Sequence, residues 1–185
     1  MKSFQPDQML TTLESRMSLS AIKAVASWSL ESPENRHFLW SLTTCGNEKA
    51  EINAIWALTH IGPDDSEWLA EMQPAIVRRL LSENHPSKKR IYLQILKHQE
   101  FDLDNPITTE LLDFCFSKIN SECEPYAVRC FSMYIAAGIC KHFPELIAEL
   151  EQHLEMLSFQ ELSPGMKSGL RRTRKILKKA RTLTA

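Results

Sequence analysis

The sequence predicts an all-α fold built from paired helices, and three observations carry that prediction. Pro86, Pro125 and Pro164 stand 39 residues apart, as do Glu83, Glu122 and Glu161, and Arg90 and Arg129 keep the same register. Apolar residues share the offset: Trp68, Ile107 and Leu146 form one column, Met72, Leu111 and Leu150 a second, and Ile76, Cys115 and Leu154 a third. Within each copy these positions lie four apart, on one face of a helix. Finally, no segment alternates strictly enough, or is bounded by enough glycine, to argue for a strand.

Helices near 6–17, 19–31 and 33–45 rest on amphipathic pattern alone. Asn47, 39 residues before Pro86, is a capping residue that opens a helix over 47–61. The segment 66–82 carries the first member of each apolar column, and 106–120 and 144–158 carry the second and third. Pro86, Pro125 and Pro164 open helices over 86–100, 125–142 and 164–182. Proline suits a first helical turn because its missing N–H has no intrahelical partner to lose there. Behind each proline runs a second stripe, with Tyr92, Phe131 and Leu170 in one column and Ile91 and Cys130 in its neighbour. The ten helices pair into five hairpins, approximately 6–31, 33–61, 66–100, 106–142 and 144–182. A hairpin of this size cannot bury its apolar face alone and stacks on its neighbours, which defines an α-solenoid. A chain of 185 residues fits one such domain, read here as 1–185.

The segments LLSENHPSKKRIYLQIL (80–96) and INSECEPYAVRCFSMYI (119–135) each set an acidic residue, then a proline, then a basic residue opening the second helix. In this they resemble the inter-helix turn of the HEAT-repeat and armadillo-like superfamily. The resemblance covers residues 47–182, and the first 46 only by helix pattern. It implies a right-handed α-α superhelix of about five hairpins with no β-sheet, its second helices lining the concave side. It further implies that Glu83 with Arg90, and Glu122 with Arg129, tie turns together by charge-assisted hydrogen bonds. The chain has Glu where the family commonly has Asp, and Ser168 in the last arginine position, so that ladder should weaken there.

Charge points to a binding surface. All 23 acidic residues fall at or before Glu161 whereas 8 of the 22 basic residues follow it, so the chain through Leu162 carries −9 and the remainder +8. The second helices, Pro86 to Glu100, Pro125 to His142 and Pro164 to Ala185, hold 4, 2 and 8 basic residues against one acidic residue, Glu100. The last first-helix is acidic instead, with Glu145, Glu149, Glu151 and Glu155. Charge sorted in this way concentrates potential on one surface. With Pro86 and Arg90 assigned to the repeat, Lys88 and Lys89 are left without a structural duty. Together with Lys167, Arg171, Arg172 and Lys175 they are the candidate binding residues. A terminal capping helix would also be polar outward, but that does not explain why every charge in SPGMKSGLRRTRKILKKARTLTA is positive.

The expected function is a non-catalytic scaffold that holds an acidic protein segment or a nucleic acid. The alternative is nucleic-acid processing of the kind done by HEAT-like DNA alkylation-repair glycosylases, bacterial helical solenoids with basic grooves. The short chain, the pI near 6.6 and the lack of an aromatic and carboxylate set in the second helices weigh against it. Five cysteines without a CxxC pair read as reduced core thiols and favour a cytoplasmic protein. The opening MKSFQPDQMLTTLESRM has no uninterrupted apolar stretch, which argues against export. No run approaches the roughly 20 apolar residues of a membrane span. Six histidines form no HxxxH pair and no zinc-spaced cluster with cysteine, so no metal or cofactor is expected. HEAT-type metal hydroxylases carry repeated His-Glu dipeptides, which are missing here. A lyase label has no motif behind it, since SPGMKSG shares only composition with the Gly/Ser-rich catalytic loop of that superfamily. The four tryptophans, Trp28, Trp40, Trp56 and Trp68, read as core.

Overall fold

A computed structural model describes residues 6–62 and 65–184; the opening MKSFQ, weighed above against a leader peptide, lies outside them. The described residues form α1 (Pro6–Glu14), α2 (Leu19–Ser29), α3 (Pro33–Ser41), α4 (Glu48–Leu58), α5 (Ser66–Glu71), α6 (Gln73–Ser82), α7 (Pro86–Leu96), α8 (Pro106–Ile119), α9 (Tyr126–Cys140), α10 (Pro144–Met156) and α11 (Pro164–Thr184). Single 3-10 turns extend α3 and α10, and no strand occurs among the described residues. Every expected helix is present, with one correction: 66–82 is two helices, broken at Met72. Pro74 is the physical reason, because its nitrogen cannot donate to a carbonyl four residues back and its ring crowds that carbonyl. The chain forms two compact units, Met1–Gln73 and Pro74–Ala185.

In the first unit α4 is central, packed against α1, α2 and α3. Ser18, Ser32 and Asn47 cap α2, α3 and α4, each side-chain oxygen accepting from a backbone N–H three residues on. Asn53 of α4 is buried, and its Nδ2 donates to the Leu13 and Ser15 carbonyls at 2.7 and 3.2 Å, satisfying the frayed end of α1. Arg36 closes the other side, 2.9 Å from Asp65 and 6.0 Å above the Trp68 ring.

In the second unit α9 is central. It packs against α7 and α11 on its flanks and against α8 and α10 behind, while α8 also packs on α10. Thus α7, α9 and α11 make one layer, the second helices of their hairpins, and α8 and α10 make the other. The column Ile76, Cys115 and Leu154 is fully buried, as the register requires. Burial pushes the Cys115 thiol far up, and that of Cys140 up to about 12, so both behave as apolar core groups. Cys45 and Cys123 depart from the core reading, being exposed in turns where the apolar pattern is interrupted. Trp28 and Trp68 are buried, whereas Trp40 and Trp56 are only half-buried.

Candidate binding face on the second-helix layer

The turns of the second unit use cations as structural parts, though not in the expected pairs. Glu83 accepts from its neighbours' backbone N–H groups, at 2.9 Å from Asn84 and 2.7 Å from His85, and stands 4.0 Å from Lys88 Nζ. Arg90 turns along its own helix to Gln94 Oε1, 3.3 Å away, so it does not reach Glu83. Glu122 is exposed and makes no ion pair with Arg129 among the described residues. The carboxylate that turns inward is Glu124, held by Lys89 at 2.5 Å and Lys118 at 3.5 Å.

Arg129, 3% exposed, spends its guanidinium on a carbonyl at the end of α8 and on a side-chain amide beyond α10. Nε donates to the Ile119 carbonyl at 2.9 Å and a terminal nitrogen to Gln160 Oε1. Gln160 in turn donates to the Asn120 carbonyl at 3.2 Å, and Asn120 to the His153 carbonyl at 3.1 Å. Arg129 therefore ties two hairpins together, as its repeat position suggests, through neutral acceptors instead of Glu122. Helix ends leave carbonyls without intrahelical partners, and a buried guanidinium fork is suited to collect them.

Of the candidate binding residues, Lys89 is corrected by its surroundings: it is 8% exposed with its ammonium held by Glu124, which gives it the structural duty the sequence did not suggest. Lys88 is half-buried beside Glu83. Lys167, Arg171, Arg172 and Lys175 are all exposed on α11. That helix buries Met166, Leu170, Thr173 and Leu177 against the unit, and its basic residues lie off that stripe. Lys167, Arg171 and Lys175 follow at intervals of four along it, and no carboxylate pairs with them among the described residues. Lys167 and Arg171 line a shallow depression with Pro164 and Leu170. Farther along, Arg181 pairs with Glu151 at 2.6 Å.

Four residues that were not singled out as binding groups complete the face. Lys97, at the end of α7, lies 4.3 Å over the Phe131 ring. Arg172 of α11 lies 5.2 Å over the Tyr134 ring. Phe131 and Tyr134 are three residues apart on α9, hence neighbours on one side of it. His98 follows Lys97 and is exposed. Burial, then the charge of Arg172, lowers the Lys97 pKa; burial, then Lys97 and Arg172, lowers that of His98. For Tyr134 burial and its hydrogen bond with Cys130 raise the pKa against the opposing pull of Arg172. Close approach of α11 to α9 depends on Gly169, where a Cβ would fall 2.5 Å from Cys130 Sγ and 3.4 Å from Tyr134 Oη.

Phe131 was missed because its column-mates Tyr92 and Leu170 are core residues, at 1% and 7% exposure, while Phe131 itself is only half-buried. The usable signal was Tyr134, a second aromatic three residues on, in a helix flanked by two basic ones. Chemically the face offers fixed cations on an aromatic bed. It presents no grouping of three His, Cys, Asp or Glu that could hold a metal among the described residues.

Paired helices built from a 39-residue unit that carries a proline at each of three turns, and a basic residue at two of them, define an α-solenoid. The chain belongs to the HEAT repeat domain family, which matches residues 9–180. Members of that family are typically protein-binding scaffolds. No curated protein and no solved structure matches the chain. No helix among the described residues is long and apolar enough to cross a membrane.

Proposed function

We propose that this chain is a non-catalytic HEAT-repeat binding module that takes an acidic segment of a partner protein on the face of α7, α9 and α11. The observation that carries the reading is the set of exposed cations Lys167, Arg171, Arg172 and Lys175, joined by Lys97 and His98, that no carboxylate pairs among the described residues. Uncompensated charge gathered on one side raises the local concentration of an oppositely charged partner and speeds encounter. The match over residues 9–180 supports treating the two units as parts of one repeat domain.

The test is fluorescence anisotropy with a labelled Asp/Glu-rich peptide of about a dozen residues at low salt. Binding should weaken as salt rises, and the Lys167→Glu/Arg171→Glu/Lys175→Glu variant should lose it while melting at the wild-type temperature. If the peptide fails to bind and duplex DNA binds with a steep salt dependence, the nucleic-acid alternative replaces this reading. If neither binds at low salt, the basic helix is a solvated surface and the reading falls.

A further inference from the structure

We infer that Lys97, His98 and Arg172 form a receptor for one phosphorylated serine or threonine side chain within the acidic partner segment. The inference rests on the binding-module reading above and specifies what the face reads. Its basis is convergence. Lys97 reaches across from α7 and Arg172 from α11 onto adjacent rings of α9, at 4.3 and 5.2 Å, so two flanking helices each deliver one cation to the same place. His98 adds a third basic group beside Lys97. Among the described residues neither Lys97 nor Arg172 makes an ion pair; burial and then the charge of Arg172 disfavour the protonated form of Lys97, and burial and then the charges of Lys97 and Arg172 disfavour that of His98.

The charge and shape of the occupant follow from that arrangement. A ring face holds a cation in position by its quadrupole but cancels none of its charge. A carboxylate would bring one negative charge and two oxygens to three bases. A phosphoryl group brings roughly −1.5 to −2 at neutral pH and three strong acceptors, which suits a guanidinium fork beside a point-charge ammonium. The field is also focal. On α9, Arg129 is buried in the turn, and Lys141 sits at the far end of the helix, lining a separate hollow with Glu100 and His142. The central helix therefore contributes no cation beside the two rings. A nucleic-acid backbone needs a cationic track along its length, whereas this face concentrates its convergence at one point. Both rings are already covered by cations, which leaves phosphoserine or phosphothreonine a better fit than a phosphorylated aromatic side chain.

The experiment uses three synthetic peptides with one Asp/Gly/Ser background and a central Ser, Asp or phosphoserine, titrated onto the full chain by anisotropy. The phosphoserine peptide should bind about tenfold more tightly than the Asp peptide, the gain expected from one or two charge-assisted hydrogen bonds. Arg172→Gln and Lys97→Met, each melting as wild type, should bring it down to the Asp level. Lys167→Glu/Arg171→Glu should weaken all charged peptides alike. The His98 imidazole, followed by NMR, should titrate at higher pH with the phosphoserine peptide bound than with the Ser peptide present. Equal affinity for Asp and phosphoserine overturns the phosphoryl receptor and leaves the acidic-segment reading standing. A tenfold preference that survives both single variants also overturns the receptor. Failure of every peptide to bind, or displacement by a single-stranded oligonucleotide at lower concentration than by the phosphopeptide, overturns both.

Discussion

The turns around Glu124 and Gln160 and the face around Phe131 and Tyr134 treat cations in opposite ways. In the turns Lys89 and Arg129 are buried, and their donors meet oxygen: a carboxylate for one, a carbonyl and an amide for the other. Charge there is consumed by the fold. On the face Lys97 and Arg172 lie over rings, Arg172 also reaching the Tyr134 hydroxyl, and no carboxylate neutralises either among the described residues. The comparison teaches that what lies nearest a basic residue, a buried carboxylate or carbonyl on one side or an aromatic side chain on the other, decides whether its charge is spent internally or presented outward. Membership of a basic run does not decide it, since Lys88 and Lys89 open one and both stand beside carboxylates.

The contrast breaks most visibly at Lys89. Lys89→Ala leaves Glu124 partly buried with only the longer contact to Lys118, and should cost about 3 to 5 kcal/mol in urea unfolding. Adding Glu124→Gln should restore much of that loss, and an unchanged midpoint in Lys89→Ala would show that the turn does not need the pair. Arg129→Lys comes next. A single ammonium cannot serve both the Ile119 carbonyl and Gln160 with a planar fork, so one acceptor goes unpaired at a cost of about 1 to 3 kcal/mol. A thermal melt within error of wild type would contradict that role.

Arg172→Gln has the smallest effect on stability, below about 1 kcal/mol for an exposed cation on a ring, but it sharpens the comparison most. Removing the neighbouring positive charge makes protonation of His98 easier, so its pKa should rise toward the ordinary imidazole value. In the wild type the folded His98 binds a proton less readily than the unfolded chain does. Its contribution to stability is therefore present above about pH 6.5 and lost as pH falls through the lower folded value. Arg172→Gln should shrink that loss. NMR titration of His98 decides the matter, and an unmoved pKa would mean the two groups do not share a field.

The 39-residue register found the turns and helices from Asn47 onward and the fully buried column of Ile76, Cys115 and Leu154. It mistook the acidic partner within the turn, because Glu122 repeats at the right interval while Glu124, which does not take part in the repeat, is the residue that turns inward. Lys89 and Glu124 lie 35 residues apart, so no column could pair them. The break at Met72 was hidden by its place in an apolar column that continues smoothly past Pro74. The face was half legible: the basic residues of α11 stood out in the sequence, but the meeting of Lys97, Phe131, Tyr134 and Arg172 depends on how three helices pack side by side, which linear spacing does not encode.

Gly169 acts as the thickness of a gasket. With no Cβ it lets α11 settle on Cys130, and that seating fixes how near Arg172 lies to the ring on α9 and to the cation that arrives from α7. Ala and then Val at this position would act as shims of increasing gauge, prising the two helices apart without altering any charge. The span between the positive groups is thus set by a missing carbon in the backbone seam, and the face could be re-gauged for a larger or smaller guest while its own residues stay the same.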